Sequence, residues 1–129
     1  RQMCIRDKCY NGIRQSFALF DRRIATVFTP RYHNDETDLL MDALLQLKTP
    51  EEAYRFLEDV LTVQELKSIT QRLEVAVMLR RKVTYQEIAH QTGASTATIS
   101  RVNRALQYGA DGYALVLDRL GEKHNRRED

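Results

Sequence analysis

Tyr85-Gln86-Glu87-Ile88-Ala89-His90-Gln91-Thr92-Gly93-Ala94-Ser95-Thr96-Ala97-Thr98-Ile99-Ser100-Arg101-Val102 is the stretch on which the reading of this 129-residue chain turns. Two short helical patterns meet at Gly93. The first carries Ile88 and Ala89 on its inner face. The second carries Ile99 and Val102, three apart and therefore on one side of a helix. Gly93 stands where a sharp helix-to-helix turn needs a residue that tolerates positive φ. Ala89 is small where the second helix must cross close to the first. Ser95 or Thr96 can accept a hydrogen bond from the free N–H groups that open the second helix. Together these are the composition cues of a helix-turn-helix.

The second helix is predicted over residues 96–108, and its outer face is short and then basic. Thr96, Ala97 and Ser100, with Ser95 just ahead of them, let a helix enter a major groove, where hydroxyls and methyls touch base edges. Arg101 and Arg104 can reach phosphates or a guanine edge. A plain antiparallel helix pair with a solvated Thr/Ser/Arg face is the bland alternative. The joint placement of Ile88, Ala89, Gly93, Ile99 and Val102 favours DNA binding over it.

Charge segregation points the same way. The net charge is only +2. Residues 35–65 hold nine acids (Asp35, Glu36, Asp38, Asp42, Glu51, Glu52, Glu58, Asp59, Glu65) against Lys48 and Arg55. Residues 66–110 hold Lys67, Arg72, Arg80, Arg81, Lys82, Arg101 and Arg104 against Glu74 and Glu87. The basic half contains the turn motif, as binding a polyanion requires. Solvated helix faces of two signs would look similar from charge alone. Arg80, Arg81 and Lys82 end the preceding helix, where cations suit its dipole; they also lie where a clamp on the DNA backbone would be placed.

A composition of 43% hydrophobic and 29% charged residues is that of an ordinary helix-rich globular chain. No apolar run approaches the roughly 18–20 residues of a membrane span, and no apolar signal segment opens the chain. The expected compartment is the cytoplasm, at the nucleoid. Cys4 and Cys9 have neither zinc-finger spacing nor a second half-site, so no metal or cofactor is expected. His33, His90 and His124 are scattered, no phosphate-cradling glycine loop occurs, and no acid pair falls in a predicted cleft. Catalysis is not expected.

Residues 1–34 are basic, lack a sustained helical stripe and end near Pro30. Phe17, Phe20, Ile24, Val27 and Phe28 form at most a short apolar face. Two origins are open for this extension. The opening Arg1–Asp7 resembles the translation of a transposase adapter used in sequencing libraries, with the match lost at Lys8; the other reading is a flexible basic arm. The expected domain covers residues 35–121, followed by a charged tail over 122–129.

Within that domain the cap signals are frequent. Asn34 or Asp35 caps a first helix with Leu40, Ala43, Leu44 and Leu47 inside. Thr49-Pro50-Glu51-Glu52 opens a second, with Ala53, Phe56, Leu57, Val60 and Leu61 as its stripe. Thr62 with Glu65 is a capping box for the longest helix, whose stripe reads Leu66, Ile69, Leu73, Ala76 and Val77, widened by Met78 and Leu79. Thr84 with Glu87 opens the first motif helix. Gly109 stops the second, and a last helix over 111–120 stops at Gly121. The result is an all-α chain of six helices. Leu39, Leu45, Tyr54, Phe56 and the wide apolar arc of the longest helix exceed what one copy can cover, so a homodimer is expected in which the helices at 35–81 supply much of the interface. A two-fold dimer also presents two recognition helices about one DNA turn apart.

From about Thr37 to Leu120 the chain resembles the Trp-repressor superfamily, in its YerC/YecD branch. The resemblance rests on Tyr54-Arg55-Phe56-Leu57-Glu58-Asp59, Gln71-Arg72-Leu73-Glu74-Val75-Ala76, Gly93-Ala94-Ser95-Thr96-Ala97-Thr98-Ile99-Ser100-Arg101-Val102 and Tyr108-Gly109-Ala110-Asp111-Gly112-Tyr113. It implies a six-helix intertwined homodimer that binds double-stranded operator DNA. The family's base-contacting positions fall on Thr96, Ala97 and Ser100, and its first motif helix would bring Gln86 to phosphates.

In the tryptophan-sensing members two arginines sandwich the indole of the corepressor, and a threonine helps to hold its amino end. The matching positions are Arg72, Arg101 and Thr62. Where those sensors have glycine after the second arginine, this chain has Val102. A branched side chain there fills the slot, so tryptophan is not the expected effector. Arg72 and Arg101 are left to bind phosphate, to pair with Glu74 or another acid, or to hold a different ligand, and for Arg72 an ion pair with an acid such as Glu65 or Asp59 weighs at least as much as a ligand contact. The competing functional reading is a helical dimeric module that binds a protein or small ligand without operator DNA.

Overall fold

The computed structural model describes residues 28–125. Expectations for Cys4, Cys9 and most of the basic extension, and for residues 126–129, lie outside the described residues. Among the described residues there are six helices and no strand: α1 (Asp35–Leu45), α2 (Pro50–Val60), α3 (Val63–Arg80), α4 (Tyr85–Thr92), α5 (Thr96–Tyr108) and α6 (Gly112–Asn125). The chain forms two compact units that divide between Phe56 and Leu57.

The first unit contains α1 and the opening turns of α2. Asn34 caps α1 reciprocally: its side chain accepts the Thr37 N–H at 2.7 Å, and the Thr37 hydroxyl oxygen accepts the Asn34 N–H at 3.0 Å. Thr49 and Glu52 repeat the arrangement at α2, where the Glu52 N–H donates to the Thr49 hydroxyl at 3.2 Å. Each exchange satisfies donors that a helix start leaves without partners. Neither helix contains a fully buried residue.

The second unit holds the core. Val75, Ala76 and Met78 of α3 meet Ile88 of α4, Ala94 of the turn, and Ile99 and Val102 of α5. Leu79, Val83, Ala89, Leu106, Tyr113 and Leu117 close over this cluster. Of the stripe expected on α3, Ala76 is buried together with the widening Met78, and Val75 joins them from outside the stripe. Ile69 and Leu73 remain 50% and 38% exposed, while Val75 and Met78 turn inward. An apolar arc covering more than one face leaves several docking directions open, and the packing of α4 and α5 selects among them.

Two helix ends differ from their expected form. After α3 the Lys82 N–H bonds the Leu79 carbonyl and the Val83 N–H bonds the Met78 carbonyl. This is a Schellman ending with Lys82 in the left-handed position, at φ 62°. Lysine instead of glycine there costs roughly 1–2 kcal/mol. Its neighbour Val83 packs on the core. Gly121 does not stop α6, which continues to Asn125. A glycine weakens a helix by about 1 kcal/mol relative to alanine but does not by itself end one: Gly121 keeps a negative φ and the helix runs on through it, whereas Gly109 ends α5 in an extended conformation, at φ -85° and ψ -155°.

Candidate nucleic-acid interface

The turn between α4 and α5 is built from backbone chemistry. Gly93 adopts φ 69°, and its N–H closes on the Ala89 carbonyl at 3.0 Å. No atom lies within 4 Å of the place a Cβ would occupy, so its conformation, and not crowding, calls for glycine. The Thr92 hydroxyl donates to the Ile88 carbonyl at 2.7 Å and accepts the Ala94 N–H at 3.2 Å. Ala94, 4% exposed, is the apolar residue that pins this turn to the core. Ser95 caps α5 by accepting the Thr98 N–H at 3.1 Å.

With its start fixed in this way, α5 becomes two-sided. Ile99 and Val102 are 0% and 2% exposed. Thr96, Ala97, Ser100, Arg101 and Arg104 are all exposed, on the face left free. Gln86 is exposed on α4. The side chains expected to contact DNA on α5 thus share one helix, two turns of which are freely accessible. Ser95 is also exposed, but its hydroxyl is engaged with Thr98.

The basic triplet is divided by the fold. Arg80 forms an ion pair with Asp118 of α6 and donates to the Ala114 carbonyl at 3.4 Å. Its charge is already balanced. Arg81 and Lys82 are exposed and have no side-chain partner among the described residues. A backbone clamp would therefore fall to Arg81 and Lys82, and Arg80 serves the α3–α6 junction.

The effector positions behave unequally. The Thr62 hydroxyl caps α3, and the Glu65 carboxylate accepts both the Thr62 N–H and its hydroxyl at 2.8 Å. These bonds, the backbone one first, hold the Glu65 carboxyl below its ordinary pKa. Glu65 is thus committed to Thr62, and Arg72 is exposed without an acid partner among the described residues. The anticipated pairing with Glu65 or Asp59 does not form. Arg101 is exposed, and Val102 is part of the core cluster.

Other features were missed from sequence. The Gln71 side-chain amide crosses from α3 to donate to the Thr92 carbonyl at 3.0 Å; nothing in a lone Gln on a polar face announces such a bond. Two apolar grooves flank α6. One of about 530 Å³ is lined by Leu73, Ala105, Ala110, Gly112, Tyr113 and Val116. The other, about 470 Å³, lies among Val77, Arg80, Arg81, Leu117, Leu120 and Gly121. Among the described residues no helix is long and apolar enough to cross a membrane, and no cluster of three or more metal-ligating side chains occurs.

Comparison with known proteins accords with this geometry. The chain is 55% identical over 87 residues to the uncharacterized protein YerC of Bacillus subtilis (strain 168), covering 67% of this chain and 84% of YerC. The crystal structure of a TrpR like protein from Eubacterium eligens ATCC 27750 superposes with a TM-score of 0.66 at 57% identity, covering 68% of this chain and 91% of that one. A crystal structure from Staphylococcus aureus gives a TM-score of 0.67 at 48% identity, covering 69% and 89%. Residues 35–121 match the Trp repressor protein family. A left-handed glycine turn, a capped second helix with a buried inner face and six helices in this order are thus accompanied by extensive sequence identity, and the chain belongs to the Trp repressor family.

Proposed function

We propose that this protein is a sequence-specific transcriptional regulator, a repressor, that binds double-stranded DNA as a homodimer through residues 35–121. In this reading α5 enters the major groove. Thr96, Ala97 and Ser100 meet base edges, and Arg101 and Arg104 meet phosphates or guanine. Gln86, Arg81 and Lys82 hold the DNA backbone. The observation that carries the reading is the two-sidedness of α5: a fully buried Ile99 and Val102 behind an exposed face of short and then cationic residues. The dimer is supported by the apolar surface left open on a single copy, with Leu45 at 69% and Tyr54 at 68% exposure. It acts in the cytoplasm, at the nucleoid, and needs no cofactor.

Tryptophan is not its effector in this reading. Val102, a core residue, stands where the tryptophan sensors have glycine, and on that resemblance its branched side chain would leave no room for the indole ring. Thr62, Arg72 and Arg101 remain the positions at which a different small molecule would be held.

The test is selection of the full chain against a randomised duplex pool, with and without tryptophan. A two-fold motif that is enriched equally in both supports a regulator indifferent to tryptophan. Enrichment only with tryptophan overturns the Val102 argument. Arg101→Ala should then weaken binding and lower its salt dependence by about one unit of slope, if Arg101 neutralises a phosphate. Val102→Gly should create tryptophan affinity detectable by calorimetry.

A second reading draws on α4, whose exposed Gln86, Glu87, His90 and Gln91 include no Lys or Arg. That face offers little to phosphates, and it suits a helical dimeric module that binds a protein or small ligand instead. Absence of any enriched duplex at moderate salt favours this reading.

A further inference from the structure

We infer that Gln71 is a positioning residue for recognition of DNA: by holding the Thr92 carbonyl it fixes the direction in which α5 leaves the turn. The inference rests on the DNA-binding reading above and adds to it a residue that touches no DNA.

The core contact between α3 and the motif is apolar. Val75, Ala76 and Met78 face Ile88, Ala94, Ile99 and Val102. Such contacts are non-directional and tolerate small rotations of one helix over another. Among the described residues, the bond from the Gln71 Nε2 to the Thr92 oxygen is the one side-chain hydrogen bond that joins α3 to the turn, at 3.0 Å, half-buried and spanning 21 positions of sequence.

Its acceptor is well chosen. The last carbonyls of a helix have no partner within it. The Ala89 carbonyl is taken by the Gly93 N–H, and the Thr92 hydroxyl is used between Ile88 and Ala94. The Thr92 carbonyl belongs to the last residue before the left-handed Gly93, so a bond there acts at the hinge of the motif. Beyond Gly93, Ala94 is buried and Ser95 caps α5. A small rotation at Thr92 would swing Thr96, Ala97 and Ser100 together relative to α3. Base readout depends on that placement more steeply than phosphate contact does, because a base-edge hydrogen bond weakens quickly with angle whereas charge attraction does not.

The test uses the full chain, and the probe is the duplex that the wild-type protein enriches from a randomised pool, measured against an unselected duplex. Gln71→Met keeps the length and removes the donor. Gln71→Lys keeps a donor. With both variants folded at the assay temperature, Gln71→Met should lose about tenfold of the ratio of specific to unselected affinity. Its unselected affinity should change less than threefold. Gln71→Lys should recover most of that ratio. Amide exchange at Gly93 and Ala94 should quicken about tenfold in Gln71→Met, with α6 amides unaffected.

An unchanged specificity ratio in Gln71→Met overturns the inference, as does uniform quickening of exchange across the whole unit, which would mark a bond that only stabilises. If the wild-type protein enriches no duplex, the DNA-binding reading itself fails and this inference falls with it. An enriched motif with an unaltered ratio sinks the inference alone.

Discussion

α1 and α5 are helices of similar length, 11 and 13 residues, and α1 is the more apolar of the two. Their fates differ. On α5, Ile99 and Val102 vanish into the core, whereas on α1 Leu39, Leu40, Met41, Leu44 and Leu45 stay 36–69% exposed. The contrast teaches that the turn motif is a self-sufficient piece of packing. Three helices of one unit converge on it, with a glycine turn and three caps to hold them. α1 carries more apolar surface than a soluble monomer usually leaves open. Covering that surface is the work we assign to the second copy in the proposed dimer.

The sharpest way to break this contrast is truncation on both sides of it. Ile99→Ala should cost about 2–5 kcal/mol in urea unfolding, because it removes transfer free energy and leaves a cavity among Val75, Ile88 and Val102. Leu45→Ala, by the same measure in a dilute monomer, should cost no more than about 0.5 kcal/mol. In the dimer the cost of Leu45→Ala should rise with protein concentration, and Leu45→Asp should shift sedimentation toward the monomer. A dimer that tolerates Leu45→Asp removes α1 from the interface.

The turns give a smaller and equally directed effect. A Cβ at Gly109 would collide with the Ala105 carbonyl oxygen, so Gly109→Ala should destabilise by about 1–3 kcal/mol, as overpacking does. Gly93→Ala meets no neighbour but must hold φ 69°, for a loss of about 1–2 kcal/mol. Lys82→Gly reverses the sign. It relieves a left-handed lysine and should raise stability by up to about 1 kcal/mol. If Lys82 also holds phosphate, the same variant binds DNA more weakly while melting higher, which separates the two roles of one residue.

The smallest expected effect is on acid stability. Glu65 is held below its ordinary pKa in the folded chain. The unfolded state therefore takes up its proton first as pH falls. The contribution is complete above the unfolded glutamate value, about 4.3, and is lost as pH drops through the lower folded value. Glu65→Gln should flatten the acid limb of the stability profile slightly below that pH and leave the neutral region nearly flat. An unaltered acid limb would mean that the capping box at Thr62 carries no measurable charge-linked stability.

Much of the fold was legible because its signals are local. Asn34, Thr49, Thr62, Thr84 and Ser95 each satisfy backbone donors within three residues of themselves, so their chemistry can be read without knowing what lies elsewhere. The same holds for Gly93, whose left-handed turn needs only itself. The burial of Val75 on α3, with Ile69 and Leu73 left exposed, was not legible. An 18-residue helix with apolar residues on several faces states no preference until its neighbours arrive. Gly121 shows the same limit: a glycine is a stop only where the backbone leaves the helical conformation, as at Gly93 and Gly109, and the residue alone does not say so.

By itself the sequence determined the six helices, the turn at Gly93 and the short and then basic face of α5, since each follows from contacts a few residues apart and from helical periodicity; periodicity also put Ile99 and Val102 on one face, but their burial comes from Val75, Ala76, Met78 and Ile88. Only tertiary structure decided that Arg80 is spent on Asp118 while Arg81, Lys82 and Arg72 find no side-chain partner among the described residues, and that Gln71 grips the Thr92 carbonyl. The two bonds that form span 21 and 38 positions of sequence. Long polar side chains have many rotamers of similar energy, and only the packed neighbours select among them.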